Sequence, residues 1–91
     1  MSVTVHLPSM LRQTAGGVAE IEIACDSLGG VLDLIGERFP ALARRLRDET
    51  GALRRYVNFY VDGEECRRLD GLATPLRDGS EVVIIPSVAG G

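Results

Sequence analysis

The run Val82-Val83-Ile84-Ile85 is apolar at every position. Successive side chains of a strand point to opposite faces, so such a run needs cover on both and suits the interior of a sheet. Pro86 closes it. The other strand-like segments read differently. Val3, Val5 and Leu7 alternate with Thr4 and His6 across residues 2–8, and Ile21 and Ile23 alternate with Glu20 and Glu22 across about 18–24. Val57, Phe59 and Val61 alternate with Tyr56, Asn58 and Tyr60. Each is a half-buried strand with one wet face. The last strand is therefore expected at the centre of the sheet.

The connections narrow the fold further. Residues 9–17 close on Gly16-Gly17, a turn signal that joins the first two strands as a hairpin. Asp26-Ser27 can cap a helix by accepting from its free first-turn N–H groups. Leu28, Val31, Leu32, Ile35 and Phe39 then form one apolar stripe, and Pro40 is expected to stop the helix. Gly29, Gly30 and Gly36 weaken it by propensity, so packing must hold it. Leu42 and Leu46 suggest a short helical turn within 41–47, with Arg44, Arg45 and Arg47 solvated. Asp62-Gly63 reads as a tight hairpin turn. It leads to a charged edge strand over Glu64–Arg68. Residues 69–80 read as a loop anchored by Leu72 and Leu76 and closed by Asp78-Gly79. The order β-β-α-(short α)-β-β-β points to an α+β fold, the β-grasp: a mixed sheet of four or five strands with one main helix packed across it. Residues 1–86 are expected to form this domain and 87–91 a flexible tail.

Composition excludes several functions. The chain has 91 residues, enough for one core, and no apolar run approaches the roughly 20 residues of a membrane span. Its first residues lack the basic-then-apolar pattern of a secretory signal, so a cytoplasmic location is expected. The net charge of −3 argues against a nucleic-acid partner. All ten basic residues are arginine, for which a genome rich in G and C is the simplest source; whatever the source, a self-linked isopeptide chain through lysine is impossible. Cys25 and Cys66 show no metal-type spacing and read as free, partly buried thiols. His6 reads as a solvent-facing histidine with no nearby cysteine or carboxylate motif. Ser27 and Ser87 have no partner histidine at a recognisable spacing. Neither Gly16-Gly17 nor Gly29-Gly30 is followed by the Lys-Ser/Thr of a phosphate loop. No metal site and no catalytic residue is expected. Arg44-Arg45 and Arg54-Arg55 read as solvated surface able to steer acidic partners.

The sequence ends Ser87-Val88-Ala89-Gly90-Gly91. Glycines carry no side chain to obstruct a narrow channel, and the last residue bears the α-carboxylate. This end is expected to be the working group; the alternative is an idle, frayed terminus. If Val82 and Ile84 face the helix, Val83 and Ile85 face the other side of the sheet. With Tyr60 and Cys66 they would form an apolar docking patch beside the tail; the alternative is that the patch is small or covered by arginine stems such as Arg67.

Over its whole length the sequence resembles the ubiquitin-like sulfur carriers of the MoaD/ThiS type. The most telling stretch is Gly71-Leu72-Ala73-Thr74-Pro75-Leu76-Arg77-Asp78-Gly79-Ser80-Glu81-Val82, followed by Val83-Ile84-Ile85-Pro86 and the Val-Ala-Gly-Gly ending. Leu11-Arg12, Val57-Asn58 with Tyr60-Val61, and Gly71-Leu72-Ala73-Thr74 resemble the CysO-type branch of bacterial cysteine synthesis. The resemblance implies that an E1-like (MoeB/ThiF-type) adenylyltransferase uses ATP and magnesium to adenylate Gly91. A sulfur donor then displaces AMP and leaves a thiocarboxylate. A partner synthase, PLP-dependent and cysteine-synthase-like or else thiazole-synthase-like, would take up the tail residues Pro86 to Gly91 and accept the sulfur. A metalloprotease would release the cysteine adduct. The chain itself would be a co-substrate, monomeric when free and with no cofactor of its own. The alternatives are the small subunit of a molybdopterin synthase, a protein modifier conjugated through Gly91, and a β-grasp binding module whose tail is idle.

Overall fold

The structure, a computed structural model, describes Ser2 to Pro86. Five strands form one sheet: β1 (Val3–His6), β2 (Glu20–Ile23), β3 (Val57–Val61), β4 (Glu64–Glu65) and β5 (Glu81–Pro86), ordered β2-β1-β5-β3-β4. The doubly apolar strand is therefore central. It runs parallel to β1, with Val5 opposite Val82, and antiparallel to β3, with Phe59 opposite Ile84. Val82 and Ile84 are buried on the inner face with Val3, Val5, Ile21, Ile23, Val57, Phe59 and Val61. This is the β-grasp expected from the sequence.

The inner face is covered by helix α1 (Leu28–Arg38). The Ser27 hydroxyl accepts from the Gly30 N–H at 3.1 Å, as an N-cap does. Leu28, Val31, Leu32 and Ile35 are buried, so packing holds a helix that its glycines would weaken. Pro40 ends α1 and also begins α2 (Pro40–Leu46), occupying the first helical position, where a missing N–H costs nothing. Leu42 and Leu46 of α2 complete the core. Residues Ser9–Ala15, expected as a loop, wind into a 3-10 helix with Leu11 and Ala15 buried. Among the described residues no helix is long and apolar enough to cross a membrane.

One expected element is shorter. The charged edge strand stops at Glu65, and Cys66–Arg68 forms a 3-10 helix. Glu65 caps it, accepting from the Arg67 N–H at 3.2 Å, while Cys66 turns into the core. A second 3-10 turn, Gly71–Ala73, brings the chain back to α1. The Leu28 N–H donates to the Thr74 carbonyl at 3.0 Å, and the Leu76 N–H to Asp26 at 2.8 Å.

The glycines at the start of α1 permit this close docking. A Cβ on Gly29 would stand 3.1 Å from the Leu72 carbonyl oxygen, and one on Gly30 would run into the Cys25 Sγ. The Gly30 contact gives a testable coupling. Gly30→Ala is expected to destabilise the native chain by about 1–3 kcal/mol through overpacking. In a Cys25→Ala background the cost should fall by about 1 kcal/mol or more, since the Sγ clash is gone and only the 3.1 Å approach to the Ser27 hydroxyl opposes the helix-propensity gain. Chemical denaturation of the four chains measures the coupling; additive effects would refute the contact.

Candidate functional site

The outer face of the sheet is built by the residues that alternate with the core. Val83 is partly exposed and Ile85 is 46% exposed. Tyr60 stands opposite Val83, and Asn58 opposite Ile85. Three of the four residues expected in an apolar patch therefore come together on β5 and β3.

Cys66 does not join them. The two-residue turn Asp62-Gly63 pairs Val61 with Glu64 and Tyr60 with Glu65. The next residue falls on the inner side, and Cys66 is fully buried. Burial above all pushes its thiol pKa up, with the Glu65 carboxylate adding to the effect. Glu65 takes the place beside Tyr60 that the sequence reading gave to Cys66. Counting outward from the turn would have shown this.

The start of β5 is fastened by the same turn. Asp62 and Gly63 both take positive φ, 50° and 90°. This orientation lets the Asp62 carboxylate accept from the Glu81 N–H at 2.9 Å and from the buried Ser80 hydroxyl at 3.1 Å. The Asp62 N–H donates back to the Glu81 carbonyl at 2.9 Å. Sequence reasoning identified the turn but not this clamp.

His6, beside Val83 on β1, has carboxylate neighbours that the local sequence does not show. Its Nε2 lies 2.7 Å from Glu81 Oε1, and its Nδ1 lies 3.4 Å from Glu20 Oε2. The two carboxylates address opposite edges of the ring, which is not a metal-binding arrangement. No cluster able to hold a metal ion occurs among the described residues. A surface cleft of about 630 Å³ between α1, α2 and the 48–51 loop is lined in part by groups that already serve one another. Arg47 Nη1 lies 2.7 Å from Asp33 Oδ1, and Arg47 Nε donates to the Gly51 carbonyl at 2.9 Å. The Thr50 hydroxyl donates to Asp48 at 2.6 Å, and that bond above all holds the Asp48 carboxyl below its ordinary pKa.

Pro86 pairs with Val57, so the chain leaves the sheet beside Arg54-Arg55-Tyr56. Arg67 ties this corner together: Nη2 donates to the Arg54 carbonyl at 3.0 Å and Nη1 to Asn58 Oδ1 at 3.2 Å. The tail residues Ser87, Val88, Ala89, Gly90 and Gly91 lie outside the described residues.

A β-grasp body whose final strand is central defines the ubiquitin-like class of proteins. Within that class the chain belongs to the ThiS family, which it matches from residue 5 to residue 91. It is 41% identical over 93 residues to the sulfur carrier protein CysO of Mycobacterium tuberculosis, each chain being covered completely. It superimposes on the CysO of the Amycolatopsis orientalis BexX/CysO complex with a TM-score of 0.89 at 35% identity, covering 98% of this chain and 99% of that one. The small archaeal modifier protein 1 of Methanosarcina acetivorans matches with a TM-score of 0.85 at 32% identity, covering 99% and 96% respectively. The homology supports a sulfur-carrier role; a carrier of this kind is a substrate of enzymes rather than a catalyst.

The two thiols should behave differently. Cys25 is half-buried and Cys66 is buried, so an aromatic disulfide reagent is expected to label Cys25 first in the native chain and both equally in denaturant. The raised pKa also carries a sign. Above the ordinary thiol value of 9.0 the unfolded chain loses the Cys66 proton while the folded chain keeps it. The contribution is whole below that value and is lost as pH rises through the folded-state pKa. Denaturation midpoints across this window should fall more steeply for the native chain than for Cys66→Ala.

Proposed function

We propose that this chain is a sulfur carrier whose Gly91 carboxylate is adenylated and then converted to a thiocarboxylate. An E1-like adenylyltransferase spends ATP with magnesium to make AMP the leaving group, because a free carboxylate is a poor electrophile. The sulfur then passes to an acceptor on a partner synthase, cysteine-synthase-like and PLP-dependent by analogy with the CysO branch, and a metalloprotease frees the product. The observation that carries this reading is the family match running to Gly91 on a fold whose last strand is held in the middle of the sheet.

The body has two roles in this scheme. It fixes the root of the tail at Pro86, where proline limits the backbone. Its outer face, with Ile85, Val83 and Tyr60, offers an apolar contact directly beside that root. Val88 and Ala89 are small and cost little to order in a partner's groove, and Gly90 and Gly91 pass where a Cβ would not. Conjugation to other proteins is the second reading, favoured by the likeness to an archaeal modifier.

Incubation with ATP, sulfide and an E1-like enzyme from the same cell is expected to replace one carboxyl oxygen by sulfur on the C-terminal peptide, read by intact mass and peptide mapping. An unchanged mass with every such enzyme of that cell refutes the carrier reading, while higher-mass adducts on other proteins favour the modifier. Ile85→Asp should lower Tm by no more than about 8 °C, because the side chain is about half exposed and outside the core. The same substitution is expected to lower kcat/KM for activation or transfer about tenfold or more by removing the apolar contact. Kinetics unchanged with every partner would remove Ile85 from the docking surface.

A further inference from the structure

We infer that the surface within reach of the tail is kept free of amines and accessible thiols, the groups that would capture an activated Gly91 most readily, and that arginine rather than lysine at the tail exit is the means. The inference rests on the carrier reading above and adds a reason for the chain's lack of lysine.

The five residues after Pro86 reach at most about 17 Å. The groups around that radius can be placed one by one. Arg54 and Arg55 lie next to Val57, the partner of Pro86. Arg54 Nε donates to the Arg44 carbonyl at 2.8 Å, which brings the end of α2 with Arg44 and Arg45 to the same corner. Guanidinium groups stay protonated and do not attack acyl groups, whereas a lysine here would supply an amine.

The stronger nucleophiles are elsewhere or engaged. Cys66 is buried. Cys25 follows β2 at the opposite end of the sheet, where Ile23 pairs with Val3, and packs against Gly30. Ser2, where the described chain begins, is two residues before the Thr4–Glu81 pair, so it lies roughly 23 Å from Pro86 along the strands. The His6 imidazole is nearer, but each ring nitrogen faces a carboxylate, Glu81 on one edge and Glu20 on the other.

The reaction avoided is simple. A lysine Nζ attacking the carbonyl carbon of a Gly91 acyl adenylate forms a C–N bond. The C–O bond to phosphate breaks, AMP leaves with its electron pair, and the nitrogen gives one proton to water. The amide so formed would retire the carrier permanently. A five-residue leash makes this step intramolecular, with an effective amine concentration in the millimolar range.

The test prepares the full chain with a thioester at Gly91, released from an intein fusion by a small thiol, as the native sequence and as Arg55→Lys, Arg45→Lys and Asp78→Lys. Arg45 and Arg55 are exposed, and their side chains make no hydrogen bond or ion pair with the described residues, so lysine replaces them without loss of contacts. Asp78 lies at the far end, where its carboxylate accepts from the Ser2 N–H. Each thioester is followed by intact mass at about pH 8, where a fraction of lysine is neutral. The two rim lysines are expected to give a cyclised chain with a mapped Lys–Gly91 amide and a thioester lifetime at least about tenfold shorter than native. The native chain and Asp78→Lys should decay by hydrolysis alone. Rim lysines that leave lifetime and products at the native level overturn the inference, as does Asp78→Lys cyclising as fast as Arg55→Lys. The thioester bypasses adenylation, so failure of an activating enzyme to act on the chain would count against the proposed function and not against this result.

Discussion

The pairing of β5 on both edges is the constraint from which the rest follows. Its backbone is bonded to β1 on one side and to β3 on the other, and its inner side chains are buried under α1. A terminal strand at a sheet edge could peel away when a partner pulls on the tail. A central one cannot leave without breaking two ladders and opening the core, so opening there approaches the cost of global unfolding. The Asp62 clamp adds to this at the strand's start, where a carboxylate, a buried hydroxyl and two backbone groups satisfy one another. The body thus holds Pro86, the root of the tail, at one place in the sheet.

The same strand divides the molecule into two chemistries. Its inner residues belong to the core, and its outer residues, with Tyr60, give an otherwise polar face an apolar spot beside the exit. Towards β2 that face becomes acidic, with Glu20, Glu22 and Glu81 grouped around His6 and Thr4. At the exit the surface becomes basic. On the function proposed above, a partner accepting the tail would meet arginine and apolar surface first and carboxylates at greater distance, an arrangement that favours one orientation of approach.

Much of this was legible in the sequence because it depends on local pattern. Two-faced apolarity placed β5, the Ser27 cap placed α1, and Asp62-Gly63 placed a turn whose two central residues do take positive φ. What escaped depends on register between distant segments. His6 and Glu81 are 75 positions apart, and no periodicity in either segment announces their contact. Ser80 and Asp62 meet for the same reason. Cys66 is a different case: the register was countable from the turn, and assuming a long charged edge strand hid it. Pro40 shows the ambiguity of a single residue, since the property that ends one helix suits the first position of the next. The tail residues on which the functional reading rests were legible as chemistry, through glycine and a carboxylate, rather than as geometry.

The use of arginine can be separated into two causes by position. At Arg47, Arg54 and Arg67 the guanidinium donates to backbone carbonyls of Gly51, Arg44 and Arg54, knitting α2, the following loop and the start of β3 together. The side chain there has a structural task that a lysine, with a single compact ammonium, would perform less well. Arg45 and Arg55 have no such task among the described residues, and for folding alone either basic residue would serve. A lysine at those two positions would differ chiefly in offering an amine at the corner where the chain leaves the sheet. Structure therefore leaves the choice at Arg45 and Arg55 open, and chemistry at Gly91 is what can decide it.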